Sequence, residues 1–238
     1  MEERRIPCHI AIILDGNGRW AKAHNMPRTY GHKKGSDNVE TILRAASDRG
    51  VKYVTVYAFS TENWSRPQDE VSALMKLLKN YMDTAVKRAN DNNMRCRVIG
   101  DKSGLPKDIQ ESIAALEEAS AGNTGLNFQI ALNYGGRDEI TRAVRALAGK
   151  VKDGMLEPGD ITQEMISSQL DTADLPDPDL MIRTSGELRL SNFLLWQLAY
   201  AEFYITDVHW PDFTPEELDK AIDAYNKRDR RYGGVKNV

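Results

Sequence analysis

Five consecutive apolar residues, Ile10-Ala-Ile-Ile-Leu14, stop at Asp15-Gly16-Asn17-Gly18. A short run that is apolar throughout, rather than at alternate positions, fits a strand covered on both faces. Such strands belong to parallel sheets with helices packed on them, so this segment restricts the chain to the α/β class. The rest of the pattern agrees. Short runs rich in β-branched and aromatic residues recur at 9–14, 53–59, 95–99, 126–133, 180–183 and 202–206. Helical periodicity fills the intervals at 36–49, 68–92, 107–119, 139–152, 162–170, 192–200 and 215–231. The clearest helix is 68–92, where Val71, Leu74, Met75, Leu78, Met82, Ala85, Val86 and Ala89 form one stripe about 35 Å long. No internal repeat or linker interrupts the alternation. The prediction is one domain over residues 1–238 with a mostly parallel central β-sheet flanked by helices.

Composition closes off other classes. Lys and Arg number 32 against 35 Asp and Glu, a net charge of −3, without the basic excess of a nucleic-acid binder. No apolar run reaches the length of a signal-peptide core or a membrane span, so the chain reads as cytoplasmic. Cys8 and Cys96 lie far apart with no C-x-x-C spacing, which indicates neither a disulfide framework nor a zinc site. Each reads as a small buried hydrophobe.

The turn after the first strand suggests an anion site. Glycines at a strand end let the backbone approach a phosphate, at the carboxyl edge where α/β proteins hold ligands. From Gly16 to Ser36 there is no acidic residue, while Arg19, Lys22, Arg28, Lys33 and Lys34 are basic and His24 and His32 add donors. A charge run alone would read as a solvated face. Asp15 is repulsive beside a phosphate unless a cation intervenes, and Mg²⁺ held by a carboxylate and diphosphate oxygens is the usual solution. A helix N-cap is the alternative for this residue.

A second glycine loop repeats the logic in Asp179-Leu-Met-Ile-Arg183-Thr-Ser-Gly186-Glu-Leu-Arg189-Leu-Ser191-Asn192. Arg183 at the strand end, with Arg189 and Ser191 expected at the start of the next helix, suits a diphosphate. Ion pairing with Glu187 and Asp179 is the competing explanation. Glu202 opens a strand and so reads as a second carboxylate at a sheet edge. A polar loop, Ser60-Thr61-Glu62-Asn63-Trp64-Ser65-Arg66-Pro67, joins the second strand to the long helix, a position where loops carry function.

Taken together, these motifs resemble those of the cis-prenyltransferases. The blocks are His9-Ile-Ala-Ile-Ile-Leu-Asp15-Gly-Asn-Gly-Arg-Trp-Ala-Lys22, Tyr57-Ala-Phe-Ser-Thr-Glu-Asn-Trp64-Ser-Arg-Pro67, Asn133-Tyr-Gly-Gly-Arg137, the run 179–192, and 201–213 with the tail Arg230-Arg-Tyr-Gly-Gly234. They stand in order over nearly the whole chain, and the family members they resemble most are the bacterial enzymes that make undecaprenyl diphosphate. The resemblance implies a homodimeric, Mg²⁺-dependent transferase that adds isopentenyl diphosphate units to farnesyl diphosphate with Z double bonds. Its product would be the lipid carrier of cell-wall polysaccharide synthesis, released with transient contact at a membrane surface.

By the same resemblance, Asp15 matches the metal-diphosphate aspartate and Glu202 a second metal ligand. Gly16, Asn17, Gly18 and Arg19 match a cradle for the allylic diphosphate, and Trp20, Arg28 and His32 match further contacts to it. Ser60, Thr61, Glu62, Trp64 and Arg66 match a substrate loop, with Asn63 at the position proposed to accept the proton, relayed through Ser60 or released diphosphate. Arg183, Arg189, Leu190 and Ser191 match the isopentenyl diphosphate site, and Arg231 with Gly233 a C-terminal element that reaches the neighbouring subunit. The family's position 188, Leu here, varies and carries no role over.

A growing prenyl chain needs an apolar tunnel. The helix 68–92, its partner 36–49 and the strands 53–59 and 126–132 would supply it, with Ala58 and Leu126 as wall positions, although core packing explains the same residues. The alternatives are a shorter-chain synthase, a non-catalytic partner subunit and a phosphate-binding module. The second would have lost the carboxylates and arginines that this chain retains.

Overall fold

The computed structural model describes residues 4–228. Its strands are β1 His9–Ile13, β2 Tyr53–Ser60, β3 Arg95–Ile99, β4 Asn127–Tyr134, β5 Leu180–Arg183 and β6 Glu202–Ile205. Among the described residues they form one six-stranded sheet in the order β3-β4-β2-β1-β5-β6. Every neighbouring pair is parallel. The helices are α1 Asn17–Ala23, α2 Arg28–Asp48, α3 Gln68–Asp91, α4 Lys107–Ser120, α5 Gly136–Lys152, α6 Gln163–Ser167 and α7 Pro215–Asn226. The predicted α/β class and parallel sheet are both present.

All five residues of β1 are buried, as its unbroken apolar run requires. Alternation along the strand sends Ile10 and Ile12 to one face and Ala11 and Ile13 to the other. The first face packs against residues of α2, α3, α4 and α7, including Leu43, Met82, Ile113 and Ile222. Each such side chain, fully buried, contributes roughly 1.5–3 kcal/mol. The second face is covered by Phe193, Leu194 and Leu198. Helix α3 starts behind Pro67, carries Asp69 and Glu70 in its first turn, where the helix dipole favours acid, and buries Val71, Met82, Ala85 and Ala89.

Four expectations need correction. The run 192–200 is not a helix but a series of turns. Ser191, Asn192 and Leu194 hold left-handed φ values of 48°, 65° and 43°, which a helix excludes. The adjacent Phe193 and Leu194 are both fully buried, so packing against the sheet overrides local helix propensity. Helix α2 begins at Arg28 behind Pro27 and not at residue 36, so Arg28, Lys33 and Lys34 of the basic segment belong to it, while Arg19 and Lys22 lie on α1. Cys96 is buried but Cys8 is exposed. The predicted C-terminal helix ends at Asn226, and Arg231 and Gly233 lie outside the described residues.

Candidate functional site

Parallel strands place their C-terminal ends side by side, and β1 and β5 run in register from Ile10 opposite Leu180 to Ile13 opposite Arg183. Two residues beyond Ile13, the Asp15 carboxylate therefore meets the Arg183 guanidinium, Nη2 to Oδ2 at 3.0 Å. Its other oxygen accepts the Gly16 amide at 2.7 Å and pairs with Arg19 Nη2 at 3.2 Å. Burial pushes the Asp15 carboxyl up, but Arg183, Arg19 and the Gly16 amide outweigh that and hold it below the usual carboxylate range. The Asp15 main-chain oxygen is fixed as well, accepting Thr184 Oγ1 at 2.7 Å and the Trp210 amide at 3.0 Å. Gly16 is in the left-handed region at φ 102°, and a Cβ there would fall 1.9 Å from Ser185 Oγ. Only glycine fits this turn.

Arg183 is 3% exposed. Its Nη1 donates to Ser191 Oγ at 3.0 Å and to the Arg189 carbonyl. Glu187 pairs with Arg19 at 3.0 Å and with Arg189, so the ion pairing weighed from sequence exists for Arg189 and not for Arg183. Asp179 instead accepts the Cys8 amide at 2.8 Å.

Behind this cluster a cavity of ≈ 380 Å³ runs between the sheet and helices α2 and α3. Its polar lining includes Asp15, Asn17, His32, Ser60, Asn63, Arg66, Arg183, Arg189 and Ser191. Its apolar lining comes from Val39 of α2, Leu74, Leu78 and Tyr81 of α3, and Leu132, Ile130 and Phe128 of β4. Those three β4 residues, on one face of one strand, give the cavity a depth of about 13 Å. Ala58 lines it as expected, whereas Leu126 is buried outside it. Asn17 Oδ1, His32 Nε2 and Arg183 Nε are buried without a hydrogen-bond partner, and all three residues face this cavity. Unpaired buried polar atoms gathered round one space call for a polar partner there, whether ligand, ion or water. Burial first, and then the charges of Arg66 and Arg28, push the His32 imidazole down to about 4.

Sequence reasoning missed Glu70. Its Oε1 accepts Arg66 Nη1 at 3.0 Å and lies 3.4 Å from Arg28 Nε, holding both arginines beside His32. The i,i+4 spacing of Arg66 and Glu70 was the available signal.

Of the other predicted residues, Trp20, Gly18, Trp64, Thr61 and Leu190 stand apart from the cavity, whereas Asn63 lines it. Trp20 is buried, donates to Asp212 Oδ1 at 2.7 Å and stacks on His24, so it packs α1 against 210–212. Gly18 lies against the Arg28 side chain. Trp64 donates to Asn133 Oδ1 at 2.7 Å and rests edge-on against Phe59. Thr61 donates to Glu62 Oε2 at 3.2 Å. Asn63 forms a capping box with Ser60, its Oδ1 accepting the Ser60 amide at 3.0 Å. Leu190 packs against the core on the second face.

Glu202 corrects the expectation of a shared sheet edge. It opens β6 opposite Leu180, the first residue of β5, whereas Arg183 and Asp15 lie at the far end of their strands. Its Oε2 pairs with Arg228 at 2.7 Å. Within one chain the two carboxylates are separated by the length of the sheet.

Among the described residues no group of three or more His, Cys, Asp or Glu could hold a metal ion. The mouth nevertheless fits a hard cation shared with a ligand. Asp15 is held ionised, and the unpartnered Asn17 Oδ1 lines the same space; Mg²⁺ accepts one or two protein oxygens when phosphates complete its shell.

Known proteins are similar to this chain over nearly its whole length. A family model described as putative undecaprenyl diphosphate synthase matches residues 13–233. An isoprenyl transferase of Brucella suis biovar 1 (strain 1330) is 54% identical over 229 residues, 96% of this chain and 90% of its own length. One from Streptococcus pyogenes serotype M1 is 56% identical over 234 residues, 97% of this chain and 94% of its own. Lavandulyl diphosphate synthase from Lavandula x intermedia, solved in complex with dimethylallyl diphosphate, superposes with a TM-score of 0.93 at 39% identity, covering 96% of this chain and 98% of that one. A probable undecaprenyl diphosphate synthase from Campylobacter jejuni superposes with a TM-score of 0.79 at 32% identity, over 98% and 100% of the two chains. No described helix is long and apolar enough to cross a membrane. By matched length and by identity, this chain belongs to the undecaprenyl diphosphate synthase family and is a prenyltransferase.

Proposed function

We propose that the chain is a Mg²⁺-dependent cis-prenyltransferase that condenses isopentenyl diphosphate onto farnesyl diphosphate and repeats the step to a long-chain Z-polyprenyl (undecaprenyl) diphosphate, the lipid carrier for cell-wall polysaccharide. The observation that carries this reading is a single cavity with a charged mouth and an apolar depth. Such a space suits a ligand with a diphosphate head and a hydrocarbon tail.

Two donor sets line the mouth, matching two diphosphate reactants. Asn17 and His32, with Arg66 and the neighbouring Arg28, would hold the allylic head group with its tail down the cavity. Arg183, Arg189 and Ser191 would hold isopentenyl diphosphate through charge-assisted hydrogen bonds. Anchoring both heads brings the alkene to the allylic carbon, and that positioning replaces a costly bimolecular encounter. The allylic C–O bond breaks, a C–C bond forms from the alkene, and a proton leaves to restore a double bond. Negative charge grows on the departing diphosphate, where fixed donors are worth most. Asp15, with Asn17 beside it, would hold the ion, and bound Mg²⁺ would supply further charge neutralisation to that leaving group. Asn63 stands at the cavity hydrogen bonded to Ser60, the pair assigned to the proton relay.

In this reading Glu202 joins such an ion only from a second copy, in a cytoplasmic homodimer whose Arg231 and Gly233 reach the neighbouring site. A shorter product is the competing reading, favoured by Tyr81, which lines both this cavity and a small void behind it. Incubation with Mg²⁺, farnesyl diphosphate and labelled isopentenyl diphosphate, with product length read by chromatography, tests both. Long labelled prenols are expected. Short prenols would favour the competing reading, and absence of incorporation would refute the activity.

A further inference from the structure

The motif Asn133-Tyr-Gly-Gly-Arg137 has no part in the chemistry above. Helix α5 starts within it, and its N-cap residue Gly135 has no side chain with which to cap the helix. The cap comes instead from Asn192, 55 residues away in the chain: its Oδ1 accepts the Arg137 amide at 2.9 Å and its main-chain oxygen accepts the Gly136 amide at 2.7 Å. The remaining polar group of the side chain, Nδ2, donates to Glu62 Oε1 at 2.7 Å. One asparagine thus satisfies two amides at a helix start and holds the loop 61–65 at the same time.

Three further observations show that the surroundings are built round it. Asn192 sits at φ 65°, a conformation that asparagine accepts better than most residues. A Cβ on Gly135 would fall 2.7 Å from Asn192 Nδ2 and 2.7 Å from Thr61 Oγ1, so glycine makes room for the junction. The preceding residue, Ser191, is pinned on both ends, its carbonyl by Tyr57 Oη at 3.3 Å and its hydroxyl by Arg183 at 3.0 Å.

We propose that Asn192 is the positioning residue that locks the 183–191 anion pocket and the 61–65 loop together on the start of α5, and so fixes where the diphosphate of the homoallylic substrate sits. The effect on that substrate rests on the reading of the pocket under Proposed function; the lock itself does not.

The test exploits the polarity of the Asn192–Glu62 contact. Asn192→Asp keeps the acceptor for the Arg137 amide and tolerates the left-handed backbone, but sets a carboxylate against Glu62. Combining it with Glu62→Gln restores the bond with donor and acceptor exchanged. The expected result for Asn192→Asp is a KM for isopentenyl diphosphate raised roughly tenfold to a hundredfold, the range for a hydrogen bond to a charged group. The KM for farnesyl diphosphate should change less, and the double variant, compared with Glu62→Gln alone because Glu62 belongs to the substrate loop, should show little of the loss that Asn192→Asp causes by itself. Hydrogen exchange in the ligand-free protein gives a readout that needs no turnover: amides of 61–65 should exchange faster in Asn192→Asp and return towards normal in the double variant. Unchanged exchange in the single variant, or no recovery in the double, would overturn the lock. Altered exchange with an unchanged KM would overturn its role in substrate placement. If the unaltered protein incorporates no label, the reading of the site fails, and the exchange measurement still judges the lock.

Discussion

Asp15 and Arg183 face each other at 3.0 Å across the adjacent strands β1 and β5, and the arginine is almost wholly enclosed. An enclosed guanidinium without a counter-charge would cost several kcal/mol, so the carboxylate that faces the ligand mouth also secures the cation behind it. The same guanidinium reaches Ser191 and the Arg189 carbonyl. One side chain therefore links the two parts of the mouth assigned to different head groups.

Arg183→Lys should show what that linkage is worth. A lysine ammonium is a compact point charge and cannot span three acceptors in a plane. Charge is kept but geometry is lost, so kcat/KM for isopentenyl diphosphate should fall by roughly tenfold to a hundredfold, as for loss of a hydrogen bond to a charged group. Steady-state kinetics with that substrate varied would show it, and an unaltered value would mean that Arg183 serves the fold alone.

Product length should respond to Tyr81. Its ring lies 4.1 Å from the Arg88 guanidinium and its carbonyl accepts Arg88 Nη2 at 2.7 Å. Behind it lies the small void walled by Ala85, Cys96 and Leu116. Tyr81→Ala would join the two spaces, and chromatography of labelled prenols should show products longer by at least one isoprene unit. Ala58→Leu, nearer the mouth, should shorten them. The same length distribution in both variants would remove these residues from the tunnel wall.

Stability should depend on pH through two imidazoles, the buried His9 and the half-buried His32. His9 contacts the Pro176 carbonyl at 2.6 Å and Thr55 Oγ1 at 2.8 Å, and burial pushes it down to about 4; His32 lies equally low. An unfolded histidine titrates near 6.5. Between these values the unfolded chain binds more protons, so stability rises with pH across the window. The contribution is complete above about 6.5 and is lost as pH falls through about 4, up to about 3 kcal/mol for His9. Urea unfolding at pH 7 and pH 4.5 should show the loss, and His9→Gln should flatten it. An identical pH slope in that variant would place the proton elsewhere.

Much of this architecture could be read in advance because β1 is enclosed on both faces, and an unbroken apolar run admits few other structures. The apolar stripe of α3 was legible for the same reason. Legibility failed where long-range packing decides. The residues from Ser191 to Tyr200 include good helix formers, yet burying Phe193 and Leu194 on the sheet, with Asn192 capping α5, demands left-handed backbone there. The start of α2 carries glycines and no apolar stripe, because it packs close to α1: a Cβ on Gly31 would fall 2.1 Å from the Asn17 carbonyl. At the site, Asp15, Arg183 and Ser191 were marked by glycine turns at strand ends. Glu202 opens its strand, and in a parallel sheet that puts it at the amino edge, away from the carboxyl edge that carries Asp15. Glu70 is hard to read from sequence because, with Asp69, it looks like dipole compensation in a helix's first turn.

The most direct test of the account is condensation by Asp15→Asn beside the unaltered protein, with Mg²⁺, farnesyl diphosphate and labelled isopentenyl diphosphate. Circular dichroism should confirm that the variant keeps its fold. Removing the charge that would hold the cation should lower turnover by about 10²–10³, the scale of losing one stabilising contact to the developing charge, and chelating the metal should silence the unaltered enzyme. Undiminished chain growth in the variant, or in chelator, would contradict the assignment of Asp15 and of the metal-bridged leaving group.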